Sequence, residues 1–230
     1  MNFDSSKDGS VEHYYQHFYR KMIGLDSTGL LSLLWKYPHW LMERKFKSNK
    51  GKSILELGVG EGEHIQFVTA DFDKYVAYDL DGDRLQLISG FGIPNLQIQQ
   101  GDAQQLSFPD AIFDRLIATC LLVHLEDPEK ALREWERVLK PGGTLTIYVP
   151  CEPGLALKLF RKFITKPKAK KMGYDGYDLF IARDHKTSAD RVITLCRYIF
   201  GDGKMAVKYY PFLIKSWYLN LFSVIHIKKD

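Results

Sequence analysis

The 230-residue chain is long enough for one large domain, or for one domain with a modest insert. Hydrophobic residues make up 45% and charged residues 26%, which are ordinary values for a globular protein. A formal net charge of +4 is too small to indicate nucleic-acid binding, and no nucleic-acid partner is expected.

Cysteine usage and the amino terminus favour a cytoplasmic protein. Cys120, Cys151 and Cys196 are widely spaced and form no C-x-x-C pair, which favours reduced thiols over a disulfide framework or a metal cluster. Residues 1–7 lack the apolar core of a signal peptide. The sequence contains no uncharged apolar run long enough to span a membrane.

The first fifty residues are expected to form helices outside the main sheet. Residues up to Gly9 are polar and small, and we expect them to be disordered. In the segment 11–23, apolar residues recur at helical spacing. Two interpretations stay open: this helix packs on the domain, or it forms a lid over a ligand site with Tyr14 or Tyr15 facing inward. Pro38 is expected to break or start a helix in the apolar stretch that follows.

Residues 53–64 combine a short apolar run with three alternating glycines, Gly58, Gly60 and Gly62. The run is typical of a buried strand in a parallel sheet, and the glycines follow where the strand must turn into a helix. Glycine adopts positive φ without strain, and its missing Cβ lets a ligand lie against the backbone. Such a loop places backbone N–H groups beside a ligand at the carboxyl edge of the sheet.

The spacing excludes two nucleotide-binding motifs. A dinucleotide fingerprint requires G-x-G-x-x-G, but Glu63 stands where the third glycine belongs. The tripeptide Gly51-Lys52-Ser53 spells the end of a P-loop, yet it precedes the strand, and Phe46 occupies the position of the first P-loop glycine.

The pattern E-x-G-x-G-x-G, which begins at Glu56, resembles the first motif of class I S-adenosylmethionine-dependent methyltransferases. The resemblance continues in the family's motif order from about Ile54 to Val149, close to half of the chain. It implies S-adenosylmethionine as the cofactor and S-adenosylhomocysteine as the product. It also implies an α/β fold with a doubly wound, mostly parallel seven-stranded sheet, preceded by N-terminal helices and carrying an insert after the fifth strand.

Acidic residues follow the second and third predicted strands. Asp79 ends the second strand, where a carboxylate can accept both hydroxyls of a ribose, although an acid there can instead cap the next helix. We interpret Asp81 as that cap and Asp79 as the ribose ligand. Asp102 and Ala103 follow the third strand and resemble the family's adenine site. The cofactor-binding residues that the resemblance implies are Glu56, Gly58, Gly60, Gly62, Asp79, Leu80, Asp102, Ala103 and Thr119.

The remaining core elements are predicted in the order strand, helix, strand. A fourth strand covers 113–118, and Asp127 caps the helix that follows, with Pro128 in its first turn. The Pro-Gly-Gly run at 141–143 is expected to end this helix and to release a fifth strand at 144–149. The predicted division of the chain is 1–50 for a helical lid or extension and 51–230 for the cofactor-binding domain.

The segment 151–186 is predicted to be an insert on the substrate side of the sheet. Apolar residues at 155, 159, 160, 163 and 164 have helical spacing, among seven basic residues with no acid between Glu152 and Asp175. The basic stretch 155–171 is either a solvated helix or a surface that contacts an anionic membrane or an acidic acceptor. Thr187 is expected to cap a helix that ends at Phe200, and two strands follow, with the last one antiparallel.

Methyl transfer requires little of the protein beyond alignment of the reactants and exclusion of water. A base is required only where the acceptor holds a proton that must leave. His124 follows the fourth strand and is either that base or a histidine bonded to the loop backbone. Tyr15 is a second catalytic candidate through the lid. The neighbours Asp184 and His185 form either an acid–base pair or structural hydrogen bonds.

The acceptor class is predicted only broadly. The sequence Thr119-Cys120-Leu121-Leu122 replaces the motif with two prolines and an aromatic residue that many amino-group methylating members carry, which speaks against methylation of DNA bases. The region resembles the methyltransferase type 11 group, whose members act on lipids, quinones and other small molecules. No metal is predicted. Transfer of another cofactor group, such as aminopropyl, and a binding module without turnover are the alternatives.

Overall fold

The computed structural model describes residues 14, 15, 18, 19, 22 and 30–230. The expected disorder up to Gly9 and most of the predicted helix 11–23 lie outside these residues. Within that segment, the backbone N–H groups of Phe18 and Met22 each donate to the carbonyl four residues earlier, at 2.8 Å, as in a helix.

One seven-stranded sheet with the order β3-β2-β1-β4-β5-β7-β6 forms the centre of the molecule. Strands β1 to β5 pair in parallel, whereas β7 runs antiparallel to both β5 and β6. This arrangement confirms the predicted doubly wound, mostly parallel fold. The strands are β1 (Ser53–Leu57), β2 (Lys74–Asp79), β3 (Leu96–Gln100), β4 (Phe113–Thr119), β5 (Leu139–Pro150), β6 (Met205–Tyr210) and β7 (Phe222–Lys228).

The described helices surround the sheet or cover its carboxyl edge. They are α1 (Leu30–Glu43), α2 (Gly82–Ser89), α3 (Pro128–Val138), α4 (Leu155–Phe160), α5 (Lys166–Lys171), α6 (Tyr177–Asp184) and α7 (Ala189–Phe200). A π-helical turn, Arg161–Thr165, joins α4 to α5. Within the described part of the chain, no helix combines the length and the apolar character that crossing a membrane requires.

Alternation along the strands divides the core between the two faces of the sheet. One face carries Leu55 and Leu116 and is covered by α3 and α7, with Trp135 of α3 fully buried. The other face carries Ile54 and Ile117 and is covered by α1. Helix α2 packs on this second face through Leu85 and Ile88, in contact with Val59 of the glycine loop and Ala77 of β2. Packing on both faces therefore fixes the strand ends at which the site forms.

Two predicted caps are confirmed and a third is wrong. Asp81 accepts hydrogen bonds from the N–H groups of residues 83 and 84 at the start of α2, and Asp127 accepts from the N–H of residue 130 in α3. The cap position of α7 is Ser188 instead of Thr187, and its side chain makes no capping bond. Thr187 is buried, and its hydroxyl has no hydrogen-bond partner among the described residues. The chain therefore turns into α7 one residue later than predicted.

Two predictions that rested on proline and glycine are also wrong. Helix α1 continues through Pro38, because Leu41 and Met42 beyond it are buried against the sheet and extend the helix. Strand β5 begins at Leu139, directly after α3, instead of at Thr144. The Pro-Gly-Gly run lies inside this strand, where the register with β4 shifts between Phe113 and Arg115.

Candidate active site

The glycine loop adopts a backbone that only glycine accepts without strain. Gly58, Gly60 and Gly62 have φ of 67°, 57° and 83°. The N–H of Gly58 donates to the carbonyl of Tyr78 at 2.8 Å, so the loop is tied to the end of β2. A Cβ on Gly58 would lie 2.8 Å from the Leu121 side chain, so this position is also closely packed.

Asp79 holds the same loop from the carboxyl end of β2. Its Oδ2 accepts a hydrogen bond from the N–H of Gly60 at 2.9 Å, and its Oδ1 accepts from the N–H of Asp81 at 3.0 Å. Each carboxylate oxygen can accept a further bond. The next side chain, Leu80, is 70% exposed, although it follows a buried strand. The structure thus combines an oriented carboxylate with an exposed apolar side chain beside the loop.

Glu56 is a fully buried acid behind the glycine loop. Its Oε2 accepts a hydrogen bond from the Tyr75 hydroxyl, while Oε1 has no partner among the described residues. Burial raises the pKa of Glu56 to about 8, and the negative charges of Glu63, Glu43 and Asp79 act in the same direction. A buried carboxyl oxygen without a partner, close to other acidic side chains, fits a cationic group placed here, as in the ammonium and sulfonium of S-adenosylmethionine.

The loop after β3 places Asp102 and Ala103 at the same edge of the sheet. Asp102 is exposed, and its Oδ1 accepts from the N–H of Gln104 at 2.8 Å. Ala103 is buried, and its carbonyl accepts from the indole N–H of Trp135 at 2.9 Å. Thr119 ends β4 and lines the neighbouring cavity. The strand ends therefore carry all the residues that were predicted to bind the cofactor.

A cavity of about 260 Å³ lies between the carboxyl edge of the sheet and the insert 151–186. Its walls are mainly aromatic and aliphatic, and they come from α1, β5, α4, α6 and the start of β7. Glu63 and Thr119 line it on the side of the glycine loop. The insert contributes polar side chains to this lining, namely Arg161, Thr165, Tyr177, Asp184 and His185. The cavity is thus apolar in its walls and charged where it meets the insert.

His124 forms a pair with Asp184 in this cavity. The distance from His124 Nδ1 to Asp184 Oδ2 is 3.2 Å, and the Asp184 carbonyl lies 3.3 Å from the same nitrogen. Burial alone would raise the pKa of Asp184, but the contact with His124 and a hydrogen bond from Tyr15 lower it below its ordinary value. Since the carboxylate accepts the Nδ1 proton, Nε2 of a neutral His124 is the proton-accepting nitrogen.

Tyr15 contacts the carboxylate of this pair. Its hydroxyl donates to Asp184 Oδ2 at 3.1 Å. Burial and then the charge of Asp184 raise the pKa of Tyr15 well above its ordinary value, so the hydroxyl stays protonated and acts as a donor. This geometry gives Tyr15 a role in holding Asp184, and a role as a base does not fit.

Asp184 and His185 have different partners. His185 Nδ1 is hydrogen-bonded to Glu152, which also forms an ion pair with Arg161. Burial, followed by the charges of His124 and Arg161, lowers the pKa of His185 to about 3, so this imidazole is neutral. The ligand atoms of His124, Asp184 and His185 lie within 4.8 Å of one another. Hydrogen bonds account for this arrangement, and the prediction that the site holds no metal stays a prediction.

A buried polar network behind the cavity was missed at the sequence level. Both guanidinium NH₂ groups of Arg115 on β4 donate to the carboxylate of Glu43 at the end of α1, one of them at 2.8 Å. His64 Nε2 lies 2.9 Å from Glu43, and His64 Nδ1 lies 3.0 Å from Nδ1 of His39, which lines the cavity. An arginine inside an apolar strand was the available signal, because a buried cation requires a buried partner.

The described residues of the N-terminal segment lie between the insert and the glycine loop. The ring of Tyr14 stacks on Phe180 of α6 with 3.8 Å between centroids. The guanidinium of Arg84 lies 4.6 Å from the centroid of the Tyr15 ring, and the Tyr19 hydroxyl donates to Glu63 Oε1 at 3.2 Å. These contacts connect the insert to α2 and to the end of the glycine loop.

Comparison with known proteins agrees with this geometry. The model of the Methyltransf_11 family, described as a methyltransferase domain, matches residues 55–147. These residues include the glycine loop, Asp79, Asp102 and His124. Residues 55–147 thus form a methyltransferase domain that is similar to the class I S-adenosylmethionine-dependent methyltransferases. S-adenosylmethionine is the cofactor of that family. The resemblance to these methyltransferases that the sequence motifs indicate is therefore confirmed.

A curated relative of the methyltransferase domain is the ubiquinone/menaquinone biosynthesis C-methyltransferase UbiE of Enterobacter sp. (strain 638). It is 30% identical over 140 residues, which cover 57% of this chain and 51% of UbiE. The chain thus spans about half the length of the curated relatives that it matches.

Solved structures show the same fold at low sequence identity. A Thermotoga maritima protein, described as a possible histamine N-methyltransferase, has a TM-score of 0.65 at 17% identity, covering 96% of this chain and 100% of that one. Phosphoethanolamine N-methyltransferase 2 of Haemonchus contortus, bound to phosphomonomethylethanolamine and S-adenosylhomocysteine, also has a TM-score of 0.65. It is 16% identical, and the match covers 100% of this chain and 62% of that one.

Proposed function

We propose that this protein transfers a methyl group from S-adenosylmethionine to a small, largely apolar acceptor, with His124 as the base for acceptors that must lose a proton. The observation that carries the proposal is the His124–Asp184 pair inside an apolar cavity that also reaches Thr119 and the end of the glycine loop.

The residues at the strand ends fit the cofactor. The glycine loop and Glu56 would face its methionine half, where the partnerless Glu56 Oε1 suits an ammonium group. Asp79 would accept the ribose hydroxyls, while Leu80, Asp102 and Ala103 would surround the adenine. When bound, S-adenosylmethionine supplies a methyl group on a sulfonium, and a neutral thioether leaves. The protein mainly aligns the acceptor and keeps water out.

The pair and its neighbours supply the proton chemistry. His124 accepts the acceptor's proton at Nε2, while Asp184 holds the other ring nitrogen and stabilises the imidazolium that forms. Tyr15 and Tyr19 position Asp184 and Glu63 from the N-terminal side, so the segment that carries these two tyrosines is proposed to form a lid. The lid excludes water from the cavity, which strengthens each of these charged contacts.

The walls of the cavity support an aromatic or lipid-like acceptor. Trp35, Tyr148, Phe160 and Phe222 line it, and such walls favour flat or apolar molecules. UbiE is by its name a C-methyltransferase of ubiquinone and menaquinone biosynthesis, so quinols belong among the candidate acceptors. The basic segment 155–171 contributes to the same walls, and the proposal includes its contact with an acidic acceptor.

The test is an acceptor screen read by mass spectrometry of S-adenosylhomocysteine. Quinols, phenols, lipid-like alcohols and phosphorylated amines are each incubated with the protein and S-adenosylmethionine. For a hydroxyl acceptor, His124→Ala should lower turnover by about two to four decades while cofactor affinity stays near that of the parent. Binding of S-adenosylhomocysteine without turnover of any acceptor would identify a binding module instead. Absence of both binding and turnover would refute the proposal.

A further inference from the structure

Large apolar side chains are exposed on three segments around the cavity. They belong to α1, to the stretch from α4 through the π-helical turn, and to the loop between β6 and β7. Phe163 is 63% exposed and Leu213 is 68% exposed. We call this set the apolar rim, and its main members are Leu33, Trp40, Leu159, Phe163, Phe212 and Leu213.

The three segments meet at the mouth of the cavity. Gly154, at the start of α4, lies so close to the turn at 217–218 that a Cβ would be 3.0 Å from two of its carbonyl oxygens. On the other side, the ring of Tyr37 on α1 lies 6.1 Å from that of Tyr210, at the end of β6. Tyr37 lines the cavity, and so does Pro211, which follows Tyr210. The apolar rim is therefore continuous with the cavity walls.

The loop that carries Leu213 is held in its exposed position. Asn220 is fully buried and accepts a hydrogen bond from the N–H of Phe212 at 3.0 Å. Its side-chain amide donates to the carbonyls of Ile214 at 2.9 Å and Ser216 at 2.8 Å. These bonds fix the backbone on both sides of the loop tip. The apolar side chains thus project from an ordered loop.

The charge around the apolar rim has one sign. The sequence contains no Asp or Glu in residues 30–42, 153–174 or 203–229. Lys158 and Lys162 are exposed on the helical stretch that also exposes the apolar side chains at 155, 159 and 163. Lys215 is exposed beside the loop tip. Apolar and basic side chains are therefore interleaved on three segments whose sequences contain no acid.

We propose that the apolar rim and its lysines bind the surface of an anionic lipid bilayer. Apolar side chains enter the boundary between headgroups and acyl chains, while adjacent lysines attract anionic lipids. Aromatic residues such as Trp40 suit the same boundary. A protein partner fits less well, because lysines are depleted from protein–protein interfaces. The entry of a lipid-like acceptor from the bilayer into the cavity rests on the proposed function, whereas binding to the bilayer does not.

Vesicle flotation tests this surface without turnover. The parent protein should float with phosphatidylcholine vesicles that contain phosphatidylglycerol, and much less with phosphatidylcholine alone. Binding should be strong at about 50 mM salt and weak at about 500 mM, because salt screens the lysines. If the parent protein floats with neither kind of vesicle at low salt, or equally with both kinds, the proposal is wrong.

Matched variants locate the contact. Leu213→Asp should weaken vesicle binding at least about tenfold by removing a buried leucine and adding a negative charge. Leu87→Asp, on the half-exposed face of α2, should leave binding unchanged. The double variant Lys158→Gln/Lys162→Gln should weaken binding roughly 25-fold, about fivefold for each lysine. Exposed Lys50 and Lys52, before β1 and so at the opposite end of the sheet, provide the matched control pair for replacement by Gln.

Two further measurements separate the explanations. Calorimetry with S-adenosylhomocysteine should show parent affinity in every variant; a parent protein that binds vesicles but not this ligand would refute only the proposed function. Sedimentation without vesicles detects self-association. If the parent forms a dimer that Leu213→Asp separates, and the parent ignores vesicles, the apolar rim joins two copies of the chain and the lipid proposal is wrong.

Discussion

Replacement of Asp79 by alanine tests the assignment of the cofactor site. In the structure this carboxylate accepts backbone hydrogen bonds from Gly60 and Asp81, and each oxygen retains capacity for another donor. If two ribose hydroxyls use that capacity, Asp79→Ala removes hydrogen bonds to a charged group. Such bonds contribute about 1.5–3 kcal/mol. We therefore expect the affinity for S-adenosylhomocysteine to fall roughly 10- to 150-fold.

Asp79→Ala also removes two hydrogen bonds to the backbone and should lower the free energy of unfolding, so a control for stability is required. Asp81→Ala removes the cap of α2 two residues away and should cost about 0.5–2 kcal/mol of unfolding free energy, without a loss of ribose contacts. Isothermal titration calorimetry with S-adenosylhomocysteine and urea unfolding are measured for both variants. The reasoning fails if Asp79→Ala binds like the parent, or if Asp81→Ala loses as much affinity as Asp79→Ala.

Four other outcomes are expected. For an acceptor that loses a proton, the pH–rate profile of His124→Ala should lack the limb that the base produces in the parent enzyme. If the variant keeps this limb, His124 is not the base. Gly60→Val should bind cofactor more weakly than Asp79→Ala by calorimetry, because φ of 57° strains a branched residue and its side chain enters the ligand space. Arg115→Met should cost about 3–5 kcal/mol in urea unfolding by leaving the buried Glu43 without its cationic partner, and an added Glu43→Gln should restore part of the loss. Burial and then His64 lower the pKa of His39 from 6.5 to about 3, so the unfolded chain binds more protons at acid pH. His39 should thus contribute about 2 kcal/mol to the fall in the free energy of unfolding from pH 7 to 5, and the fall should be smaller by about this amount in His39→Gln.

Local patterns account for the parts of the site that lie close together in the sequence. The apolar run before Gly58 predicts a buried strand, and the glycines that follow predict the positive φ angles that the loop adopts. Asp79 and Asp81 lie two residues apart, and the sequence predicts a ribose ligand at Asp79 and a helix cap at Asp81. The structure confirms the cap. Because carboxyl ends of parallel strands meet at one edge, strand order alone brings Asp102 to the same region as the loop. Steric limits on each residue and the geometry of a parallel sheet are enough for these inferences.

Contacts between segments that lie far apart in the sequence could be identified only from the tertiary structure. Asp184 meets His124 across 60 residues, and Arg115 meets Glu43 across 72. No periodicity encodes such pairs, since they depend on how the insert and α1 pack against the sheet. The same packing continues α1 through Pro38, where local preference predicted a break. Sequence alone therefore determined the fold and the edge at which a cofactor would bind. Only the packing of separate elements decided which charges are paired and how the cavity is enclosed, because burial makes an unpaired charge too costly to leave without a partner.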